Sequence, residues 1–250
     1  MRIMVCGDVH GSWGLLNTFI NRKRPDMILQ CGDFGYYPRE LKLERDYAGR
    51  VVAMRKYDPH GRIKNTLGGR RVPIHWAEGN HEDYSCLHEC KIKGDFEVAP
   101  GVYWQPRGST LRLPDGRLVL FMGGAKSTDW KLSEPGVDWF PDEVITEEDL
   151  RDLPDKADIV ISHTVPLEFK VPNWGGMTSE ALEKQWGWDM SPDPSRPLLS
   201  RVLAHCRPSL WYAAHWHTYL QGEINGCRWT VLNMAPSPNW WTLLPEMTAK

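Results

Sequence analysis

The sequence of 250 residues lacks several features that would place it in a specialised class. No stretch approaches the roughly 18 consecutive apolar residues of a membrane span. The apolar run Ile3–Cys6 is shorter than the roughly 7–15 residues found in a secretory leader. Lys and Arg (30) do not outnumber Asp and Glu (32), so the net charge of −2 gives no general attraction to nucleic acid or membranes, although a local basic strip is compatible with it. We therefore expect a cytoplasmic protein without a membrane segment.

Internal repeats and low-complexity tracts are also absent, and the length fits one large domain, predicted over residues 1–250. Residues 172–197 contain four prolines and three tryptophans with little periodicity, so we predict a long loop or lid there. Cys86, His88 and Cys90 are not followed by a second ligand pair at zinc-finger spacing. We expect the six cysteines to be free thiols in a reducing compartment.

Short apolar runs alternate with polar segments along the chain. The predicted strands are Ile3–Cys6, Met27–Cys31, Val72–Ala77, Arg112–Leu113, Leu118–Met122, Asp158–Ser162, Trp211–Ala214, Tyr219–Ile224 and Trp229–Leu232. The predicted helices are Trp13–Arg22, the charged segment Leu41–Tyr57, and Leu198–Cys206. Strand–helix alternation early in the chain and hairpins later predict an α/β fold, a layered sheet sandwich flanked by helices.

Metal-ligand side chains follow five of the predicted strands. They are Asp8, His10, Asp33, Asn80, His163, His215 and His217. Sites in α/β folds gather beyond the carboxyl ends of strands, and side chains at i and i+2 of an extended segment share a face. Capping could explain an isolated Asp or Asn, but it does not explain ligands at all five strand ends. Carboxylate, amide and imidazole donors favour Mn, Fe or Zn, with Mg or Ni as alternatives.

These residues form motifs in a recognisable order. Asp8-x-His10, Gly32-Asp33, Gly79-Asn80-His81-Glu82, Ser162-His163 and His215-x-His217 resemble the motifs of the calcineurin-like metallophosphoesterases. Each motif alone is weak, but the ordered set spans residues 8 to 217. The resemblance implies a four-layer α/β/β/α sandwich of two mixed sheets and the hydrolysis of a phosphoester. Similar segments occur in uncharacterised bacterial and phage phosphoesterases, and Gly123–Ser127, Ile161–Pro166 and Trp211–His217 are similar, more loosely, to segments of RNA lariat debranching enzymes.

The resemblance also implies a role for each matching residue. Asp8, His10 and His217 would hold one divalent ion, Asn80, His163 and His215 would hold a second, and Asp33 would bridge the two. Two ions can activate a bridging hydroxide and clamp the attacking and leaving oxygens. His81 would lie over the leaving group as a general acid; the alternative is that it only orients or stabilises charge.

The sequence departs from the protein Ser/Thr phosphatase branch of the family. That branch reads Gly-Asp-x-x-Asp-Arg-Gly in the second motif, whereas Tyr36 and Tyr37 occupy the Asp and Arg positions here. Glu78 stands where the same branch has a second Arg. The partner of His81 and both phosphate clamps are therefore missing, and Lys126 and Asp129 are candidates for a supporting role near the same edge.

These departures favour a phosphodiesterase, with a nucleotide or nucleic acid as one candidate substrate. The alternative is a phosphomonoesterase acting on a small molecule, because nothing in the motifs fixes the substrate. A protein phosphatase and a non-catalytic metal-binding module are further alternatives, and the complete ligand set argues against the second.

Overall fold

The computed structural model describes residues 1–246, without the side chains of residues 40 and 41. Within them the strands are β1 Ile3–Cys6, β2 Met27–Gln30, β3 Tyr37–Arg45, β4 Val51–Tyr57, β5 Thr66–Leu67, β6 Arg70–Arg71, β7 Ile74–Trp76, β8 Glu97–Ala99, β9 Val102–Trp104, β10 Thr110–Arg112, β11 Leu118–Met122, β12 Ile159–Ser162, β13 Leu210–Ala213, β14 Leu220–Ile224, β15 Cys227–Val231 and β16 Trp241–Leu243. The helices are α1 Trp13–Lys23, α2 Tyr84–Lys93, α3 Ser179–Trp186 and α4 Ser195–Cys206. Short 3₁₀ turns lie at Trp130–Leu132, Pro141–Glu143, Glu148–Leu150 and Trp174–Gly176. The last four residues of the predicted domain lie outside this part, and the single domain stays a prediction.

Two six-stranded sheets form the centre of the molecule. The first has the order β16-β1-β2-β7-β9-β8, and the second has the order β10-β11-β12-β13-β15-β14. The inner pairs of both sheets are parallel, whereas β16 and β8 in the first sheet and β10 and β14 in the second pair antiparallel. Both sheets are therefore mixed, as the sequence predicted. The predicted ligands follow the parallel strands β1, β2, β7, β12 and β13.

Alternation along the strands divides the core into layers. Val5 and Leu29 of the first sheet join Phe121, Ile161 and Tyr212 of the second in one buried cluster between the sheets. The outer face of each sheet packs against helices in a cluster of its own. The first sheet packs against α1 and α2 through Met4, Leu16, Ile20, Trp76 and Leu87. The second sheet packs against α4 through Leu120, Val160, Leu199, Val202 and Trp211. The predicted four-layer α/β/β/α sandwich is therefore confirmed.

The helices begin and end at recognisable caps. Asp83 accepts a hydrogen bond from the Cys86 backbone N–H at the start of α2, and Gly94 ends the helix with a left-handed φ of 66°. The longest helix, α4, has 12 residues. Between residues 1 and 246, no helix combines the length and the apolar character needed to cross a membrane. The cytoplasmic location stays a prediction.

The six cysteines are free thiols, as predicted, and the reducing compartment stays a prediction. Cys86 and Cys90 lie on α2 with His88. The Cys86 Sγ contacts the Asp83 carboxylate at 3.0 Å. Among residues 1–246, the groupings of side chains that could hold a metal ion do not include these cysteines.

The predicted helix Leu41–Tyr57 is wrong, because this segment forms most of an antiparallel hairpin of β3 and β4. The Asp46 carboxylate accepts hydrogen bonds from the backbone N–H groups of Ala48 and Arg50, and Gly49 has a φ of 78°, which together close the turn. Register shifts in the hairpin break the period of two that marks a strand. A charged sequence with this broken period resembles a solvated helix face.

The prediction of a long loop over residues 172–197 is only partly correct. This segment contains α3, which begins where the Thr178 side chain accepts a hydrogen bond from the Ala181 backbone N–H and ends at Gly187 with a φ of 75°. Leu182 is the buried residue of this helix. With eight residues, the helix is shorter than the stretch of about 11–18 residues over which a helical period can be recognised.

Candidate metal centre

The seven predicted ligands lie just beyond the carboxyl ends of five strands. Asp8 and His10 follow β1, Asp33 follows β2, Asn80 follows β7, His163 follows β12, and His215 and His217 follow β13. Because these strands are neighbours in two stacked sheets, their ends meet at one edge. The structure therefore brings all seven side chains to the same end of the sandwich.

The backbone around these residues is strained. His10, Asp33, His215 and His217 have φ values of 46°, 50°, 68° and 46°, in the left-handed region that non-glycine residues seldom adopt. Such conformations cost about 1–3 kcal/mol each and cluster at functional sites. Four of the seven predicted ligands share this feature, so the turns are shaped to aim side chains rather than to minimise local energy.

The first group contains Asp8, His10 and His217. The Nε2 atoms of the two histidines are 3.4 Å apart, and the His217 Nε2 is 3.2 Å from the Asp8 Oδ2. One ligand atom from each residue lies within 4.8 Å of the other two. This arrangement places two nitrogens and one carboxylate oxygen around a common point.

The second group lies on the other side of Asp33. The His163 Nε2 is 3.0 Å from the Asn80 Oδ1 and 3.3 Å from the Asp33 Oδ1, and the centroid of the His215 ring is 4.9 Å from that of His163. The second oxygen of Asp33, Oδ2, is 3.6 Å from the His10 Nε2. The two oxygens of Asp33 therefore face the two groups separately.

The charges at the site fit a bound cation. Although burial opposes it, His163, His81 and His10 hold the pKa of Asp33 well below its usual value. Burial lowers the pKa of His163, but the Asp33 and Asp8 carboxylates outweigh it and raise that pKa to about 9. The centre thus stabilises positive charge next to two buried carboxylates, which are costly to bury without a partner.

Unpaired atoms fit the same interpretation. The Asp8 Oδ2 is buried and has no hydrogen-bond partner among the described residues, although the His217 Nε2 is close to it. Burial lowers the pKa of His10 and, more strongly, that of His215, so both imidazoles keep a free lone pair. A buried carboxylate oxygen without a donor, beside imidazole nitrogens, fits the donor set of a metal ion.

Hydrogen bonds behind the site fix the orientation of the proposed ligands. The His163 Nδ1 lies 2.8 Å from the Cys31 carbonyl oxygen, so it donates there and turns Nε2 into the site. The Asn80 Nδ2 donates to the Ser127 Oγ at 3.0 Å, and this hydroxyl donates to Glu143 at 2.7 Å, which leaves the Asn80 Oδ1 facing the centre. Such support is typical of metal sites.

The loop that carries Asp33 is fastened by Glu82. This buried carboxylate accepts hydrogen bonds from the backbone N–H groups of Phe34 and Gly35 at 2.7 and 3.0 Å, and from that of Tyr36. In the sequence, Glu82 stands out only as the last residue of the motif Gly79-Asn80-His81-Glu82. Its position two residues after Asn80 is the signal that could have pointed to a supporting role.

Two glycines permit the close approach of the ligand loops. A Cβ on Gly79 would lie 2.1 Å from the Asp33 Oδ1, and a Cβ on Gly32 would lie 2.5 Å from the His163 Nδ1. Both contacts are shorter than any tolerable separation. A side chain at either position would displace a predicted ligand.

His81 lies beside the ligands without belonging to either group. Its backbone N–H donates to the Asp33 Oδ1 at 2.8 Å, and its ring centroid is 5.4 Å from that of His10. Burial, followed by the charge of Lys42, lowers the pKa of His81 well below its usual value. Tyr36, at the position of the missing carboxylate, packs against Trp76 instead.

Lys42 is the residue that sequence reasoning missed. It lies on β3, and its Nζ is 4.9 Å from the centroid of the Tyr37 ring. It lines a cavity of about 320 Å³ together with His10 and His81. Burial lowers the pKa of Lys42, whereas the Asp33 carboxylate opposes that shift. The Lys42 ammonium therefore lies over Tyr37, the residue at the position where the protein phosphatase branch has an arginine.

Glu78 and Lys126 have structural contacts. Glu78 is buried, accepts a hydrogen bond from the Trp104 Nε1 at 2.9 Å and pairs with the Arg107 Nε at 3.0 Å. The Lys126 Nζ donates to the Ser191 Oγ at 2.7 Å and lies 3.3 Å from the Asp189 Oδ1. Lys126 thus ties the segment after α3 to the edge of the second sheet.

A family model described as calcineurin-like phosphoesterase matches residues 1–219. Lariat debranching enzyme A of Xenopus laevis is 25% identical over 236 residues, which cover 87% of this chain and 43% of that protein. The lariat debranching enzyme of Schizosaccharomyces pombe is 26% identical over 239 residues, which cover 90% of this chain and 50% of that protein. The chain spans about half the length of these curated relatives.

Among solved structures, a phosphopantetheinyl hydrolase from Mycobacterium tuberculosis superposes with a TM-score of 0.47 at 12% identity, covering 97% of this chain and 95% of that one. A likeness at this level carries no argument about activity.

Proposed function

The chain belongs to the calcineurin-like phosphoesterase family, and from this premise we propose that it is a phosphodiesterase that depends on two divalent metal ions. The observation that carries the proposal is that the other six ligand side chains gather around Asp33, whose two oxygens face His10 and His163 separately. Helix capping or simple exposure to water would not bring residues from the ends of five strands to one point.

The proposed ligands divide into two sets. Asp8, His10 and His217 would hold one ion, Asn80, His163 and His215 would hold the other, and Asp33 would be shared. The shared carboxylate would offset the repulsion between two cations. Mn, Fe or Zn suit these donors, and Mg or Ni remain alternatives. Ions bound there supply Lewis acidity and lower the pKa of a water molecule to the neutral range.

His81 acts on the leaving group. The backbone N–H of His81 donates a hydrogen bond to Asp33. The imidazole is therefore held beside Asp33 and does not take the place of a metal ligand. In this position it can donate a proton to a departing alkoxide once the anionic substrate offsets its lowered pKa, or it can stabilise charge on a phosphoryl oxygen. Its test is the dependence of the loss of rate on the leaving group.

Lys42 would bind a phosphoryl oxygen of the substrate. Lys42 is the cation over Tyr37, and the second arginine position is taken by Glu78, which points into the protein. One lysine is a point charge, whereas an arginine pair would form a bidentate clamp suited to a dianion. A single added charge matches the monoanion of a phosphodiester.

Similarity to enzymes named for lariat debranching supports a nucleotide or nucleic-acid diester as the substrate class. Since the chain spans about half the length of these relatives, their whole substrate is not carried over. A small-molecule phosphomonoester is the second candidate, because family membership alone fits either ester.

The proposed function is tested by comparing bis(p-nitrophenyl) phosphate with p-nitrophenyl phosphate, each with Mn, Fe, Zn and Mg. Both esters release the same chromophore, so the comparison isolates the charge and substitution of the phosphate. We expect metal-dependent turnover with a higher kcat/KM for the diester. A higher kcat/KM for the monoester would favour the second candidate, and no turnover with any metal would contradict both.

A further inference from the structure

A cavity of about 360 Å³ opens beside the candidate metal centre. Its inner part is lined by Asp33, Asn80, His81, His215 and His217. Its outer part is lined by the tip of the β3–β4 hairpin and by residues 173–193. Both segments departed from their predicted structure, and both meet at the mouth of the same cavity.

Aromatic rings form the outer wall. The Tyr47 ring centroid is 5.2 Å from that of Trp174 and 6.1 Å from that of Trp188, and the two tryptophan centroids are 5.9 Å apart. We call these three residues the aromatic wall. Tyr47 is 52% exposed and the tryptophans are half-buried, whereas core tryptophans such as Trp76 are fully buried. The wall therefore keeps ring surface open to the cavity.

The aromatic wall is held by polar contacts from the rest of the protein. Lys126 donates a hydrogen bond to Ser191 and forms a salt bridge with Asp189. The Trp130 Nε1 donates a hydrogen bond to the Asp189 Oδ2 at 2.8 Å. The Arg45 Nε pairs with Asp138 at 2.6 Å at the base of the hairpin tip. These contacts fix both segments without a ligand, so rings set in place lose little entropy when something stacks on them.

We propose that the aromatic wall is a subsite that stacks a nucleobase of the substrate, next to the phosphate bound at the metal centre. The inference rests on the proposed phosphodiesterase function and deepens it. A nucleotide combines an anionic diester with a planar ring, and the cavity combines the metal-ligand residues with open aromatic surface. Asn173 and Thr128 line the same cavity and offer polar side chains for the edge of a base. Stacking on such rings contributes about 1–3 kcal/mol per base.

The test compares thymidine 5′-(p-nitrophenyl) phosphate with methyl p-nitrophenyl phosphate. Both are diesters that release p-nitrophenolate, and only one carries a nucleoside. We expect the wild-type kcat/KM to be about 5- to 150-fold higher for the thymidine ester, which is the stacking contribution converted at 1.36 kcal/mol per tenfold. Trp188→Leu keeps an apolar side chain but removes the ring face, so it should reduce this ratio.

Trp241→Leu is the matched control. Trp241 lies on β16, away from the cavity, and its ring centroid is 5.4 Å from that of Phe19. The ratio of kcat/KM between the two esters should therefore remain at the wild-type value. If Trp188→Leu does not fold, as judged by circular dichroism, then Tyr47→Leu at the exposed hairpin tip replaces it. A soluble Tyr47→Leu or Trp188→Leu with an unchanged ratio would overturn the subsite.

The outcomes separate the subsite from the proposed function. Wild-type turnover of both esters at equal kcat/KM would refute the aromatic subsite and leave the phosphodiesterase in place, with the rings serving only to pack the hairpin against α3. Turnover of neither ester would refute the phosphodiesterase itself. Turnover of both esters with the expected advantage for the thymidine ester, lost in Trp188→Leu, supports both.

Discussion

Replacing Lys42 with Met tests whether the hairpin supplies a cation to the active site. Met keeps a flexible apolar side chain over the Tyr37 ring, so the packing of the hairpin is retained while the charge is lost. A hydrogen bond to a charged group contributes about 1.5–3 kcal/mol. Because 1.36 kcal/mol is tenfold in rate, Lys42→Met should lower kcat/KM for the diester by about 10- to 150-fold.

The assay uses bis(p-nitrophenyl) phosphate, with metal content and thermal unfolding measured in parallel. Lys42 is not among the proposed ligands, so the variant should bind metal like the wild-type protein. Lys56→Met is the control, because Lys56 lies on the neighbouring strand β4, is exposed, and pairs only weakly with Asp58 at 4.0 Å. A folded, metal-replete Lys42→Met with wild-type kcat/KM would refute the role of Lys42 at the phosphoryl group.

Three further substitutions test the ligands and their surroundings. Asp33→Asn should lose at least one metal ion and nearly all activity, since a neutral amide does not offset two dications; wild-type metal content and turnover would contradict the bridge. His81→Ala should keep both ions and lose about 10²–10⁴-fold in rate on an ester with a poor leaving group, with a much smaller loss on a nitrophenyl ester; equal losses would favour charge stabilisation, and loss of an ion would make His81 a ligand. Glu82→Gln should lower the free energy of unfolding by about 1–3 kcal/mol in urea denaturation, because an amide NH₂ would face a backbone donor; an unchanged value would show that Glu82 does not fasten the loop.

The candidate centre could be predicted because its signal is local and ordered. Asp8, Asp33 and His163 each follow a short apolar run directly, and the ends of parallel strands meet at a common edge. The i, i+2 spacing of His215 and His217 was equally visible. None of these inferences required knowledge of how distant segments pack.

The hairpin could not be recognised from its hydrophobic pattern. Val51 and Val52 are exposed at 48% and 64%, so the strand β4 lacks the alternation of a half-buried strand. The remaining signals for a hairpin were the turn Asp46–Gly49 and the β-branched residues Val51 and Val52 after it. Because the segment was interpreted as a solvated helix, Lys42 was not placed at the site.

The aromatic wall depends on the meeting of two segments that are far apart in the chain. Tyr47 reaches Trp174 and Trp188 only because the hairpin and the segment around α3 fold toward the same edge. Composition shows that tryptophan is abundant, with 13 residues, but it does not divide core rings from those facing a cavity. That division comes from burial, which only the folded structure provides.

The central claim is that two metal ions share Asp33, and anomalous diffraction from crystals grown with Mn²⁺ tests it most directly. We predict two anomalous peaks, one among Asp8, His10 and His217 and one among Asn80, His163 and His215, with the Asp33 carboxylate contacting both. A single peak, or peaks outside these ligands, would contradict the account.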